Sequence, residues 1–196
     1  IVPTAWPEVM NETPTTALVT GKWTFGHVAA KYAMDIAIEK ARDQNMATVG
    51  VVQANHIGRL GEYAELAAAQ GMVSFVWASG YAQEQKMAIP YGGREPVLNT
   101  NPLAMGFPAG DEPPMIIDYA TTNVAGTKVL VARMRNQQLP PGSVVDKDGN
   151  PATDPSVIED GGSYVPFGGH KGYAIMMAVE FLGRILTGSD DFLEGE

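Results

Sequence analysis

The apolar positions of the chain switch between strand-like and helix-like spacing. Thr15 to Thr20 alternates as a short strand and Gly21-Lys22 supplies a turn. From Thr24-Phe25-Gly26 onward, Val28, Ala29, Tyr32, Ala33, Ile36 and Ala37 recur at helical spacing to about Asp43, which predicts an amphipathic helix with one core face. A β-branched run over residues 47–54 predicts a buried strand. It enters a polar turn, Asn55-His56-Ile57-Gly58, and then an Ala/Leu-rich helix from about Leu60 to Gln70 that stops at Gly71. Val73 to Trp77 predicts the next strand. Strand, helix and strand of this length favour a parallel crossover, hence an α/β layered core.

Elsewhere the pattern is less regular. Residues 1–13 carry no period and read as a surface arm. Residues 80–114 are punctuated by Pro90, Gly92-Gly93, Pro96, Pro102, Pro108 and Pro113-Pro114, which predicts loops and short strands. Met115-Ile116-Ile117 is a short apolar strand with Asp118 at its end. A helix-compatible pattern runs from about Thr122 to Gln138, closed by Pro140-Pro141, and residues 142–162 form a polar excursion rich in turns. Pro166-Phe167-Gly168-Gly169-His170-Lys171-Gly172-Tyr173 then opens a strongly apolar helix through Leu186.

Composition narrows the classes. The 196 residues, 45% apolar, can bury one substantial core or one large domain with an appendage. A formal charge of −9 argues against a nucleic-acid or anionic-membrane surface and leaves a small-molecule ligand as the better expectation. No run approaches the roughly 18 to 20 apolar residues of a spanning helix, and no signal-peptide pattern opens the chain, so a cytoplasmic protein is expected. The absence of cysteine removes disulfides, thiolate nucleophiles and zinc-thiolate sites. His27, His56 and His170 lie in unrelated elements, so no metal site is expected. Both ends of the chain, Ile1 and the acidic stretch to Glu196, read as cuts or processing sites.

His56 is the candidate working group, because a strand-end loop can hold one polar side chain at a cleft and imidazole both gives and takes a proton near neutral pH. Taken alone, a strand-end histidine is more often a hydrogen-bonded structural residue. The Gly168-Gly169-His170-Lys171-Gly172 turn suits an anion or dinucleotide phosphate, since glycines let the backbone approach and Lys171 adds charge; a flexible connection with a solvated lysine reads equally well. No Gly-x-Gly-x-x-Gly or Walker loop occurs. Asp118 could bind a ribose hydroxyl or cap a turn, and Ser79 could touch a ligand or form a turn. A hydrolase using His56, Asp118 and a serine is disfavoured by the lack of a nucleophile elbow.

Together, Asn55-His56-Ile57-Gly58, Thr100-Asn101-Pro102-Leu103-Ala104, Ile117-Asp118-Tyr119-Ala120-Thr121-Thr122, Thr153-Asp154-Pro155 and Gly168-Gly169-His170-Lys171-Gly172-Tyr173 resemble the second malate/L-lactate dehydrogenase family. Its relatives include ureidoglycolate, sulfolactate and diketogulonate dehydrogenases and cyclic-imine reductases. The resemblance implies an α/β fold with a layered mixed β-sheet flanked by helices, a non-Rossmann NAD(P)-binding arrangement. It implies hydride transfer between NAD or NADP and a small 2-hydroxy acid/2-oxo acid, with His56 exchanging the proton and Ser79, Asp118, Tyr119, Ala120 and Lys171 at the cofactor. It also implies a homodimer, with the active site at or near the subunit contact.

The departures are specific. Residues 1–196 correspond to a central core lacking the family's N-terminal helical segment, which would supply the cationic partner of the substrate, and its C-terminal region. Asn99 stands where Gly usually precedes Thr-Asn-Pro, Tyr119 replaces a common Met, and the stretch between Ser79 and Pro90 is lengthened. The alternative function is a catalytically incomplete nucleotide-binding fragment or relative.

Overall fold

The computed structural model describes residues 1–81 and 86–193. Residues 82–85 of the lengthened stretch and the last three of the acidic end lie outside the described residues. Two compact units form. Ile1–Trp77, Leu103–Asp118 and the described part of Leu182–Glu196 make the first, and Ala78–Pro102 with Tyr119–Phe181 make the second.

In the first unit, β1 (Glu8–Glu12), β2 (Thr16–Thr20) and β3 (Thr48–Val52) form one sheet in that order. β1 lies antiparallel to β2, and β2 parallel to β3 with Thr20 opposite Val52. The arm expected over residues 1–13 therefore contains a strand. Four of the five β1 residues are exposed, so no apolar alternation marks it. The parallel pair is joined by α1 (Gly26–Gln44), which buries Ala29, Ala33 and Ile38 and ends at Asn45 in the left-handed conformation.

The crossover expected between the strand at 47–54 and the one at 73–77 does not occur. β4 (Ser74–Trp77) belongs to a second sheet, where it pairs antiparallel with β5 (Leu103–Ala109), with β6 (Glu112–Tyr119) on the far side of β5. The face of that sheet explains the choice. Ser74 stands opposite Gly106, and a Cβ on Gly106 would meet the Ala64 carbonyl oxygen at 2.5 Å, so this bare position lets α2 (Gly61–Ala68) settle on β4 and β5. Residues 80–114 thus hold a full strand that the prolines concealed. Pro102 precedes β5, Pro108 stands near its outer end, and Pro113 and Pro114 lie on edge strand β6, where a missing N–H is tolerated.

In the second unit, β7 (Val144–Val145) lies between β8 (Pro151–Ala152) and β9 (Ser163–Tyr164), antiparallel to both. This small sheet packs with α3 (Gly126–Met134) and α4 (His170–Glu180) around Ala88, Leu98, Val129, Val144, Tyr164 and Met176. α3 is shorter than the pattern over Thr122 to Gln138. The Thr122 hydroxyl donates to the Val124 carbonyl and the Asn123 N–H to that of Val165, which holds the preceding turn open, while Asn136 at positive φ ends the helix region. α4 passes at Phe181 into a π-turn that continues to Ile185, near the expected helix end. The architecture is mixed α/β, with small sheets flanked by helices.

Candidate active site

His56 lies beyond the C-terminal end of β3, on a turn fixed from several sides within the first unit. The turn after β2 and the turn after β3 lie side by side: the Gly21 N–H donates to the Val52 carbonyl and the Trp23 N–H to that of Gln53, each at 2.8 Å. The Asn55 amide bridges them, donating to the Trp23 carbonyl at 2.7 Å and the Thr24 carbonyl at 2.8 Å. Gly26, the first residue of α1, is packed so closely that a Cβ there would lie 2.6 Å from the His56 carbonyl carbon and nearer still to the Asn55 and His56 oxygens. Tyr63 of α2 donates its hydroxyl to the Ile57 carbonyl, and burial pushes that phenol up to about 12.

The His56 ring is exposed on this rigid turn, and its Nδ1 accepts the Gly58 N–H at 3.2 Å. Gly58 has φ +74°, and a Cβ there would come within 2.9 Å of the His27 ring. His27, in the first turn of α1, is exposed yet packs against the His56 turn. Sequence spacing could not reveal this, because residues 27 and 58 are brought together by the pairing of β2 with β3 and the contacts between the turns that follow them.

Asp118 also belongs to the His56 side of the first unit. Its Oδ2 accepts the N–H of Gly61, the first residue of α2, at 2.8 Å, and the Arg59 Nε stands 3.7 Å away. The cap reading of Asp118 is therefore realised in the free chain. Arg59 donates to Glu65 at 2.6 Å, and this bond, ahead of the nearby carboxylate charges, raises its pKa. With two carboxylates beside it, Arg59 is already neutralised.

The remaining predicted residues stand in the second unit. Gly168 and Gly169 have φ +58° and +62°, and a Cβ on Gly172 would lie 2.7 Å from the Phe167 carbonyl carbon, so the turn into α4 is built on glycine. No side chain caps α4, and Lys171 is exposed in its first turn. The Tyr119-Ala120-Thr121 strand end meets this turn. Tyr119 packs edge-on against Phe167 with ring centroids 5.4 Å apart, and the Phe167 N–H donates to the Thr121 carbonyl at 3.0 Å. Ala120 is half-buried between them in sequence. The structure thus brings Tyr119, Ala120 and the Lys171 turn together.

Ser79 meets a residue the sequence reading passed over. Its hydroxyl donates to Oε2 of Glu180, which is only 3% exposed, and the Asn101 amide donates to the same oxygen at 2.8 Å and to the Met176 carbonyl at 3.1 Å. Glu180 is the one acidic residue in the apolar run from Tyr173 to Leu186, a signal available in the sequence. Among the described residues, no group of three or more His, Asp or Glu side chains could hold a metal, and no helix is long and apolar enough to cross a membrane. A surface hollow of about 410 Å³, lined by Asp146, Lys147, Asp148, Val157 and Asp160, contains none of the predicted site residues.

Comparison with known proteins shows the relatives of this chain. The chain is 40% identical over 181 residues to L-sulfolactate dehydrogenase of Methanothermobacter thermautotrophicus, covering 92% of this chain and 51% of that protein. It is 38% identical over 183 residues to hydroxycarboxylate dehydrogenase B of Escherichia coli K12, covering 92% and 50%. The crystal structure of malate dehydrogenase from Entamoeba histolytica superposes with a TM-score of 0.90 at 31% identity, over 95% of this chain and 54% of that one. The chain spans about half the length of the curated relatives it matches. Residues 1–192 match the malate/L-lactate dehydrogenase family along nearly the whole sequence, and the chain belongs to that family.

Proposed function

We propose that residues 1–196 carry the catalytic and cofactor-binding core of a nicotinamide-dependent oxidoreductase acting on a small 2-hydroxy acid/2-oxo acid pair, in a non-Rossmann dinucleotide fold. The observation that carries this reading is the His56 turn, an exposed imidazole on a backbone held by Asn55, Gly26 and Tyr63, in a chain of this family. Such rigidity keeps a proton-transfer group in register with its reactant. The bound nicotinamide supplies the hydride chemistry.

His56 exchanges the accompanying proton at Nε2, and for this the Gly58 amide must release Nδ1, which rotation of the ring accomplishes. The residues of the second unit fit a dinucleotide. The uncapped, glycine-built start of α4 with exposed Lys171 suits phosphate, and Tyr119 and Ala120 line the adjoining strand end. Ser79 is assigned to the cofactor as well, and in the first unit Asp118 has Oδ2 committed to Gly61, leaving Oδ1 for a ribose hydroxyl. The family resemblance supports a homodimer.

The test is oxidation of NADH and NADPH across a panel of 2-oxo acids, beside His56→Ala. We expect the variant to lose roughly a hundredfold or more in turnover while dinucleotide binding persists. Equal turnover in both proteins overturns the role of His56. Dinucleotide binding without turnover in the unaltered chain favours the nucleotide-binding alternative.

A further inference from the structure

The buried contact between Ser79 and Glu180 constrains what Ser79 can offer a ligand. A serine hydroxyl has one proton and two lone pairs, whereas an ionised carboxylate only accepts. Here the proton is committed, because the Ser79 hydroxyl donates to Glu180 Oε2. Glu180 cannot easily turn away: it is 3% exposed, and Asn101, fully buried, donates its amide both to that oxygen and to the Met176 carbonyl one turn earlier on α4. Asn101 is fixed in turn, since its backbone carbonyl accepts the Thr121 hydroxyl at 3.0 Å. Ser79 therefore faces a ligand as an acceptor.

We propose that Glu180 is a positioning residue that makes Ser79 an acceptor for an uncharged N–H or O–H donor of the dinucleotide, the carboxamide or a ribose hydroxyl, and turns it away from the phosphates. This rests on the dehydrogenase reading above. Phosphate oxygens offer no proton to such a serine, and Lys171 serves them at the opposite end of α4. Lys171 and Glu180 stand nine residues apart on that helix, roughly 13 Å at 1.5 Å per residue, so Lys171 and Ser79 address different parts of an extended cofactor.

The experiment measures NADH binding by fluorescence titration to the unaltered chain, Ser79→Ala, Glu180→Met and the double variant, with thermal unfolding as a folding control. One lost neutral hydrogen bond weakens binding roughly three- to tenfold. We expect that loss in each single variant, and less than a twofold effect of Glu180→Met once Ser79 is already Ala. An equal effect of Glu180→Met in both backgrounds makes Glu180 merely structural and overturns the proposal. So does NADH binding by Ser79→Ala within twofold of the unaltered chain.

A second arm needs no change at Glu180. The reduced 3-acetylpyridine dinucleotide lacks the carboxamide N–H. If Ser79→Ala weakens NADH binding but not binding of this analogue, the donor is the carboxamide. Equal weakening of both identifies a ribose hydroxyl, and weakening of neither overturns the proposal. If the unaltered chain binds no NADH, the dehydrogenase reading fails and takes this inference with it. Binding that ignores Ser79 removes the inference alone.

Discussion

Gly26→Ala sets two physical effects against each other. Gly26 is the first residue of α1, and in a helix alanine is favoured over glycine by up to about 1 kcal/mol, so propensity predicts a more stable protein. Packing predicts the reverse. The new Cβ would stand 2.6 Å from the His56 carbonyl carbon, about 0.8 Å inside an ordinary 3.4 Å contact, and deeper into the Asn55 and His56 oxygens. Both neighbours are backbone, and the turn is tied down by the two Asn55 bonds, so no flexible side chain can yield.

Overpacking of this kind costs about 1–3 kcal/mol, which less about 1 kcal/mol of helix propensity leaves a net loss of up to about 2 kcal/mol. For a chain of this size that is a drop of up to roughly 8 °C in the unfolding midpoint. The turn relieves the overlap by moving His56, and a shift near 1 Å costs about a hundredfold in turnover. Thermal unfolding and NADH oxidation measure the two effects, with Gly71→Ala as control. Gly71 has φ +74° and nothing within 4 Å, so alanine there costs about 1 kcal/mol and leaves turnover intact. A Gly26→Ala protein at least as stable as the parent, with turnover within twofold, would refute the packing argument.

Asn55→Ala leaves the Trp23 and Thr24 carbonyls without the donor that bridges them, and should cost about 1–3 kcal/mol in urea unfolding together with a loss of turnover; an unchanged midpoint would mean that the bridge is dispensable. Lys171→Met should raise the KM for the dinucleotide about tenfold with little change in kcat, and should flatten its salt dependence; a change in kcat alone would contradict a binding role. Tyr63 yields a pH prediction. Its folded pKa of about 12 exceeds the ordinary tyrosine value near 10, so the stability linked to it is complete below pH 10 and is lost as pH rises towards 12. Tyr63→Phe should be less sensitive across that window, as read from denaturant midpoints, and identical slopes for the two proteins would exclude the linkage.

Much of the architecture was legible in the sequence because it is local. The period of Val28, Ala29, Ala33 and Ile36 describes α1, and Gly71 stops the helical region after α2, because an amphipathic face and a left-handed glycine are properties of a few consecutive residues. β1 escaped notice because an edge strand exposed on both faces has no alternation to show, and β5 because prolines at its margins look like breaks. The candidate residues were legible for a similar reason. His56 follows the β-branched run that forms β3, and Lys171 follows a glycine pair that only a tight turn requires.

The sequence by itself determined α1, α2, β2, β3 and β4, the polar turns that interrupt them, and the family to which their motifs belong. Tertiary structure alone decided pairing and partnership. It placed β4 beside β5 through the bare surface of Gly106, set His27 against Gly58, gave Asp118 to the start of α2, and joined Ser79 to Glu180 across a hundred residues of sequence. Periodicity reports how each residue meets its own element. Contacts between distant elements are chosen by which surfaces can be buried together with every polar group satisfied, and that choice exists only in the folded chain.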